Sequence, residues 1–356
     1  MSNKVFYSSY IRGISVSVPK DKVNLHEFHF DDTDTEEIIK LTGIHEIRKA
    51  PDNMTQLDYC IDAAKHLISE LDFDKSQIDG VVFSTTLNDY ITPGNAYLMQ
   101  DLLDLKTETV LIDLNQACAG FVNGLLQASM LIETGYCKNV LVCAGDKEDS
   151  INPRDKSLKM LMGDGDAVAI VSAREDSPSS TFAFYNDGRL AKVLYTPGGG
   201  KRMNLSFLSQ HPEYMIEEKP DAQGNFHSVI NSQMDGLEVM AFAMDAVPDA
   251  INAVIKNIGW NKNDVGMFAF HQANELLLKT LAKRCRIPLE KLPITLKYFG
   301  NTAGNSIPLT LVLQAENNRA LDNWDKVVMC GFGNGLACAA AALSLKDTYF
   351  SKLHEI

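Results

Sequence analysis

The 356-residue sequence predicts an α/β fold built in layers. Short apolar runs of strand length, at residues 78–85, 109–114 and 139–145, alternate with longer stretches of helical period. Two such α/β runs follow one another and meet near residues 172–175. The length allows two compact domains or one large layered one.

The elements read in order as follows. Residues 5–18 alternate and stop at Pro19, as an early strand does. Residues 32–34 with Glu36 and Glu37 make an acidic, solvated helix start, and Thr42-Gly43-Ile44 ends that helix. Residues 55–71 form an amphipathic helix with Ala63, Ala64, Leu67 and Ile68 inward. A helix over 95–105 precedes the strand 109–114. A long apolar helix from Ala119 to about Gly135 follows, with Phe121, Leu125, Ala128 and Leu131 in one stripe.

A glycine turn at residues 162–166 leads into a buried strand. Residues 196–227 are polar and aperiodic: either a cover over a substrate entrance or a plain surface loop. A helix over 238–258, a strand over 265–270 and a helix over 274–285 resume the pattern. Residues 320–322 close another helix, and strands at 326–331 and 336–344 flank a glycine loop at 331–335. There is no strict repeat and no low-complexity segment.

Composition is that of a globular protein, 45% hydrophobic and 22% charged. A formal charge of −13 argues against binding nucleic acid or an anionic membrane. No apolar run reaches spanning length, and the first residues lack a signal-peptide core, so a cytoplasmic protein is expected. The seven cysteines are scattered without a CxxC pair, and the eight histidines lack ligand spacing, so neither disulfides nor a metal site is expected.

Cys118 sits on the turn from the strand 109–114 into the apolar helix. Unpaired N–H groups and the positive end of the helix dipole favour a thiolate there. The competing reading is a small buried core residue. His271 stands at the carboxyl end of an apolar strand, where α/β folds place site residues. Asn301 lies in the small polar run Gly300-Asn301-Thr302-Ala303-Gly304-Asn305-Ser306. The loop 331–335 can bring backbone N–H groups close to a carbonyl. A cysteine, a histidine and an asparagine suit thioester chemistry: the thiolate takes an acyl group, and the two N–H donors stabilise an enolate oxygen.

Gln116-Ala117-Cys118-Ala119-Gly120-Phe121, His271-Gln272-Ala273-Asn274, Gly300-Asn301-Thr302-Ala303 and Gly331-Phe332-Gly333-Asn334-Gly335, in this order, resemble the thiolase superfamily. The likeness is greatest to its β-ketoacyl-acyl carrier protein synthase III branch, which Gly163-Asp164-Gly165-Asp166, Met234-Asp235-Gly236 and Thr42-Gly43-Ile44 with Arg48 also resemble. The resemblance implies a five-layer αβαβα fold of two pseudo-symmetric halves, residues 1–173 with the nucleophile and 174–356 with His271 and Asn301. It also implies a homodimer, no cofactor, and acyl carrier protein or coenzyme A thioesters as substrates. Cys118 would accept the acyl group, His271 and Asn301 would bind the malonyl thioester carbonyl, and the N–H groups of Cys118 and Asn334 would form the oxyanion hole.

Several positions depart from that branch. Asn334 replaces a glycine. Glu37 and Leu41 stand where a tryptophan and an arginine hold adenine, which argues against coenzyme A recognition of that kind. Thr92 replaces a phenylalanine that lines the acyl pocket from the partner subunit. Leu276 replaces a basic residue. On the helix after His271, Lys279, Lys283 and Arg286 share a face, with Arg284 beside them. That strip either docks an acidic carrier protein or a phosphate, or is a solvated face.

These features predict a decarboxylative condensing enzyme, a specialised paralogue rather than the housekeeping initiator of fatty-acid synthesis. The alternatives are acyl transfer to a hydroxyl or amine of a secondary metabolite or sugar, and a non-catalytic partner subunit.

Overall fold

The computed structural model describes residues 4–30, 34–216, 220–221, 224–317 and 324–356. Its helices are α1 (Thr35–Thr42), α2 (Gln56–Glu70), α3 (Asn95–Leu102), α4 (Gly120–Glu133), α5 (Lys156–Lys159), α6 (Leu205–Gln210), α7 (Gly236–Ile258), α8 (Glu275–Cys285) and α9 (Ser306–Glu316). The helix end expected at residues 320–322 lies outside the described residues, as does Asp32 of the acidic start before α1.

Two sheets form the frame. The first runs Tyr349–Phe350, Ser9–Val18, Asp166–Ala173, Asn139–Gly145, Gly80–Ser84, Val110–Leu114, with His354–Glu355 also paired to Ser9–Val18. The second runs Val5–Phe6, Ser180–Asn186, Ala337–Leu343, Val327–Gly333, Met267–Phe270. Gly80–Ser84 lies parallel to both Val110–Leu114 and Asn139–Gly145. Parallel neighbours need crossover connections, and α3 and α4 supply them. The short strands near the two chain ends are exchanged: Val5–Phe6 completes the sheet of the second half, and residues 349–355 complete that of the first.

Three hydrophobic clusters define the layers. One, with Leu67, Val81 and Met99, packs α2 and α3 onto the outer face of the first sheet. A second, with Phe121, Leu125, Val142, Leu311 and Ala339, fills the space between the sheets around α4 and α9. The third, with Ala246, Phe268 and Leu278, packs α7 and α8 onto the outer face of the second sheet. The result is the αβαβα stack.

Burial extends one expectation. The long apolar helix α4 buries more than the single stripe read from its sequence. Here α4 contacts strands of both sheets, and Gly120, Val122, Gly124, Ser129 and Ile132 are buried along with Phe121, Leu125 and Ala128. Leu131 is only partly buried.

Other expectations match the elements that form. Asp34 caps α1 by accepting the Glu36 N–H at 3.0 Å, and Gly43 closes it in a left-handed conformation with φ 72°. The strand Ser180–Asn186 has no counterpart in the sequence reading. The stretch 196–227 is not structureless: it carries α6 and short 3-10 turns, although residues 217–219 and 222–223 lie outside the described set. A two-stranded ladder, Leu194–Tyr195 against Gln233–Met234, frames it.

Candidate active site

Cys118 lies in the turn between Val110–Leu114 and α4 and is 8% exposed. The glycine loop closes over it. A Cβ on Gly333 would stand 2.9 Å from the Cys118 Sγ, so only glycine lets this strand end lie against the sulfur. The N–H groups of Cys118 and Asn334 both bond toward the sulfur. Asn334 tolerates a side chain because the positive φ angles of the loop fall on its neighbours Gly333 and Gly335, at 156° and 134°. Its Nδ2 turns away and donates to Leu194 O at 2.7 Å.

The expected thiolate is not what this environment favours. Burial pushes the Cys118 thiol up to about 12, and the nearby Asp146 carboxylate adds to the shift. The N–H groups of Cys118 and Asn334 pull the other way. The reasoning from the helix dipole fails because the sulfur is enclosed, and desolvation of its charged form outweighs the local dipoles.

His271 follows directly on Met267–Phe270 and is 2% exposed. Burial lowers its pKa to about 4, opposed by a hydrogen bond to the Ala303 backbone, so the ring is neutral at pH 7. Its Nδ1 lies 2.7 Å from Ser306 Oγ, which in turn reaches Ala303 O at 2.8 Å. Ser306 has one proton for two acceptors. Given to Ala303 O, it leaves the imidazole proton on Nδ1; given to Nδ1, it leaves that proton on Nε2. Phe332 meets the ring edge-on with centroids 5.3 Å apart.

Asn301 is held by its backbone in a bridge to the strap beside it. Its N–H donates to Leu161 O at 2.8 Å, and its carbonyl accepts from Gly163 N–H at 3.0 Å. Its side-chain oxygen accepts the Ala303 N–H at 3.0 Å. That leaves Nδ2 as the donor facing the cavity.

Two cavities share Cys118 and Asn301 in their walls. One, of about 130 Å³, is lined by Cys118, His271, Asn301, Phe332 and residues of α7 and the start of α8, among them Asn274 and Leu276. The other, of about 380 Å³, extends from Cys118, Asn301 and Asn334 past Asp146 and Glu148 to Tyr195, Thr196, Ser232 and Met234. Of the polar excursion 196–227 only Thr196 lines the larger cavity; Tyr195, Ser232 and Met234 belong to the segments that flank it.

Sequence reasoning missed the acid pair. Asp146 follows Asn139–Gly145, a strand end of the kind that marked His271, and that rule would have flagged it. Its Oδ1 accepts from Thr85 Oγ1 and from the N–H and hydroxyl of Thr86, and burial nevertheless raises its pKa to about 7. Glu148 accepts from the Ser150 hydroxyl and, at 3.1 Å, from Ser232 Oγ, which also lies 2.9 Å from Thr196 Oγ1. Ser306 stood in the quoted run without a role.

The remaining expected positions lie apart from the sulfur. Thr92 is exposed beside Ile91, itself 94% exposed, and is absent from the lining of both cavities. Glu37 and Leu41 are exposed on α1, which packs against α8. Lys279, Lys283, Arg284 and Arg286 are all exposed. Lys279 pairs with Glu275 at 2.8 Å and Arg284 with Asp245 at 3.6 Å, so part of the basic strip is already neutralised. Arg286 ends α8 in a left-handed conformation, φ 52°, and so does not continue the helical face as its spacing suggested. Arg48 is buried, donating to Pro19 O and pairing with Glu355 at 2.6 Å.

Comparison with known proteins agrees with this geometry. The family described as 3-oxoacyl-[acyl-carrier-protein (ACP)] synthase III matches residues 112–188, and its C-terminal part matches residues 255–345. The chain is 31% identical to β-ketoacyl-[acyl-carrier-protein] synthase III 1 of Bacillus anthracis over 336 residues, covering 94% of this chain and 97% of that one. It superposes on the 3-oxoacyl-(acyl-carrier protein) synthase of Burkholderia xenovorans LB400 with a TM-score of 0.88 at 28% identity, covering 99% and 98% of the two chains. The priming β-ketosynthase of the R1128 polyketide biosynthetic pathway gives a TM-score of 0.81 at 26% identity, covering 95% and 96%. With its five-layer stack and near full-length likeness to these enzymes, the chain belongs to the β-ketoacyl-acyl carrier protein synthase III family of thiolase-fold condensing enzymes.

Proposed function

We propose that the protein catalyses a decarboxylative Claisen condensation through an acyl-Cys118 intermediate. The observation that carries this reading is that two cavities share Cys118 and Asn301 in their walls. The smaller suits an incoming thioester arm and the larger an acyl group. The Cys118 thiol loses its proton and attacks the donor carbonyl, the C–S bond of the donor breaks, and the donor thiol leaves with a proton. A malonyl thioester then sets its carbonyl oxygen against His271 Nε2–H and Asn301 Nδ2–H. It loses carbon dioxide, and the enolate so formed attacks the acyl-enzyme. The Cys118 C–S bond breaks, the thiolate takes up a proton from solvent to regenerate the thiol, and a β-ketoacyl thioester departs. The N–H groups of Cys118 and Asn334 stabilise the tetrahedral oxyanions of both acyl transfers.

The wall of Glu148, Ser232 and Thr196 supports a specialised paralogue whose acyl group carries a hydroxyl or amine. The same wall favours a second reading, in which a hydroxyl or amine acceptor occupies this space and takes the acyl group without decarboxylation. A carrier protein as donor is supported by the exposed Lys283 and by the loss of the adenine-holding pair at Glu37 and Leu41. A homodimer is supported by the exposed Tyr90, Ile91 and Thr92, which would reach a second copy. Seven cysteines without a disulfide fit a reducing cytoplasm. Among the described residues no helix is long and apolar enough to cross a membrane.

The test couples intact-mass analysis with carbon dioxide release. Wild-type protein should gain an acyl adduct that Cys118→Ser lacks, and should release carbon dioxide from a malonyl thioester. Adduct formation without release would favour acyl transfer. Absence of any adduct across donors of several chain lengths would reject both readings.

A further inference from the structure

Outside the cysteine cavities, three metal-ligating side chains converge where α2 meets the strand His354–Glu355. Asp62 and His66 stand one turn apart on α2. His354 is the register partner of Ser17 on the long strand that α2 covers. Ligand atoms of all three lie within 4.8 Å of one another. The rings of His66 and His354 stack with centroids 3.5 Å apart and planes 19° apart. His66 Nε2 is 3.5 Å from Asp62 Oδ1.

One atom in this group lacks a partner. The Nε2 of His354 is buried and makes no hydrogen bond. Glu70 Oε1, 3.8 Å away, is too distant to form one. A polar nitrogen sealed in this way is unfavourable unless something completes its bonding.

We propose that Asp62, His66 and His354 form a site for a divalent transition-metal cation of the zinc class, which clamps the strand His354–Glu355 to α2. Two imidazole nitrogens and a carboxylate oxygen are borderline donors, suited to zinc rather than to magnesium or calcium. The carboxylate is already aimed: Asp62 Oδ2 accepts Ser17 Oγ at 2.7 Å. Glu70, held by the Ser351 hydroxyl, stands beside His354 but outside the group of three, so water would complete the coordination. Tetrahedral zinc sets its donors about 3.3 Å apart, as follows from bonds of about 2.0–2.1 Å. Reaching that spacing requires His66, whose side chain is 43% exposed, to turn out of its stack on His354. The neighbouring Glu355 is fixed by its 2.6 Å pair with Arg48, so the strand presents His354 to α2 from a rigid position. The role assigned is structural.

The test is calorimetric titration of zinc chloride into the chelator-treated full-length protein, with magnesium chloride as the control. Zinc should bind one to one and raise the thermal midpoint; magnesium should do neither at the same concentrations. His354→Gln and His66→Gln should each weaken zinc binding by at least about tenfold. The half-exposed His66 serves as the variant that folds if His354→Gln does not. His45→Gln alters the other close histidine pair, His26 and His45 at 3.0 Å, and should leave zinc binding unchanged. No saturable binding to wild type, or undiminished binding in both site variants, or loss in His45→Gln alone, would overturn the proposal.

Discussion

Gly163→Ala should separate the two halves of the proposed reaction. Gly163 N–H donates to the carbonyl of Asn301, and Asn301 N–H donates to Leu161 O, so this strap sets where the Asn301 carboxamide points. A Cβ on Gly163 would lie 1.9 Å from the Phe299 carbonyl oxygen and 3.0 Å from its carbon, both backbone atoms. Real Cβ atoms keep at least 3.0 Å, so the segment 299–301 must retreat by roughly 1 Å. A displacement of about 1 Å in a positioned donor costs on the order of 100-fold in rate, or about 2.7 kcal/mol of barrier. Decarboxylation of a malonyl thioester should fall by about that factor. Acylation of Cys118, followed by intact mass, should change by less than about threefold, because its N–H donors sit on other segments. The thermal midpoint monitors folding. Wild-type decarboxylation in a folded variant would refute the role of the strap. An equal loss of both steps in a folded variant would refute the separation of Asn301 from the acylation machinery.

Three further outcomes follow from the buried groups. With the Cys118 thiol raised to about 12, its alkylation rate should climb about tenfold per pH unit from 7 to 10 without a plateau; a midpoint below 8.5 would restore a dipole-stabilised thiolate. Burial raises the Asp146 carboxyl to about 7, so the folded state keeps a proton that the unfolded chain has lost, and stability drains away as pH rises from about 4 to 7. Asp146→Asn keeps an oxygen for Thr85 and Thr86, so it should raise the thermal midpoint by several degrees at pH 8 and by less at pH 5; equal shifts at both would contradict this. Ser306→Ala removes the hydroxyl that holds His271 Nδ1 and should slow decarboxylation about tenfold or more while sparing acylation, with Ser306→Thr partly restoring it; an unaffected rate would show that the serine does not position the imidazole.

Why some of this was legible in the chain and some was not comes down to the range of the forces involved. Gly43, Asp34 and the apolar run before Cys118 act on their own neighbours, so period and capping chemistry locate α1, the strand Val110–Leu114 and the start of α4. Cys118, His271 and Asn301 were found through type and motif, and they do border one cavity. What failed depends on enclosure. A stripe on α4 says which side is apolar but not that a second sheet covers the other side. A cysteine at a helix start is expected to ionise only while water or dipoles reach it. The packed loop at Gly333 and the carboxylate of Asp146 reverse that balance, and both come from strands distant in the chain. The two ends of the polar stretch show the same limit: nothing in composition says that Thr196 and Ser232, 36 residues apart, would share a hydrogen bond on the wall of the larger cavity. If that wall sets which acyl group enters, substrate choice in this protein is written in contacts between segments, and Glu148→Leu should shift turnover toward plain alkyl donors even though no residue at the sulfur has changed.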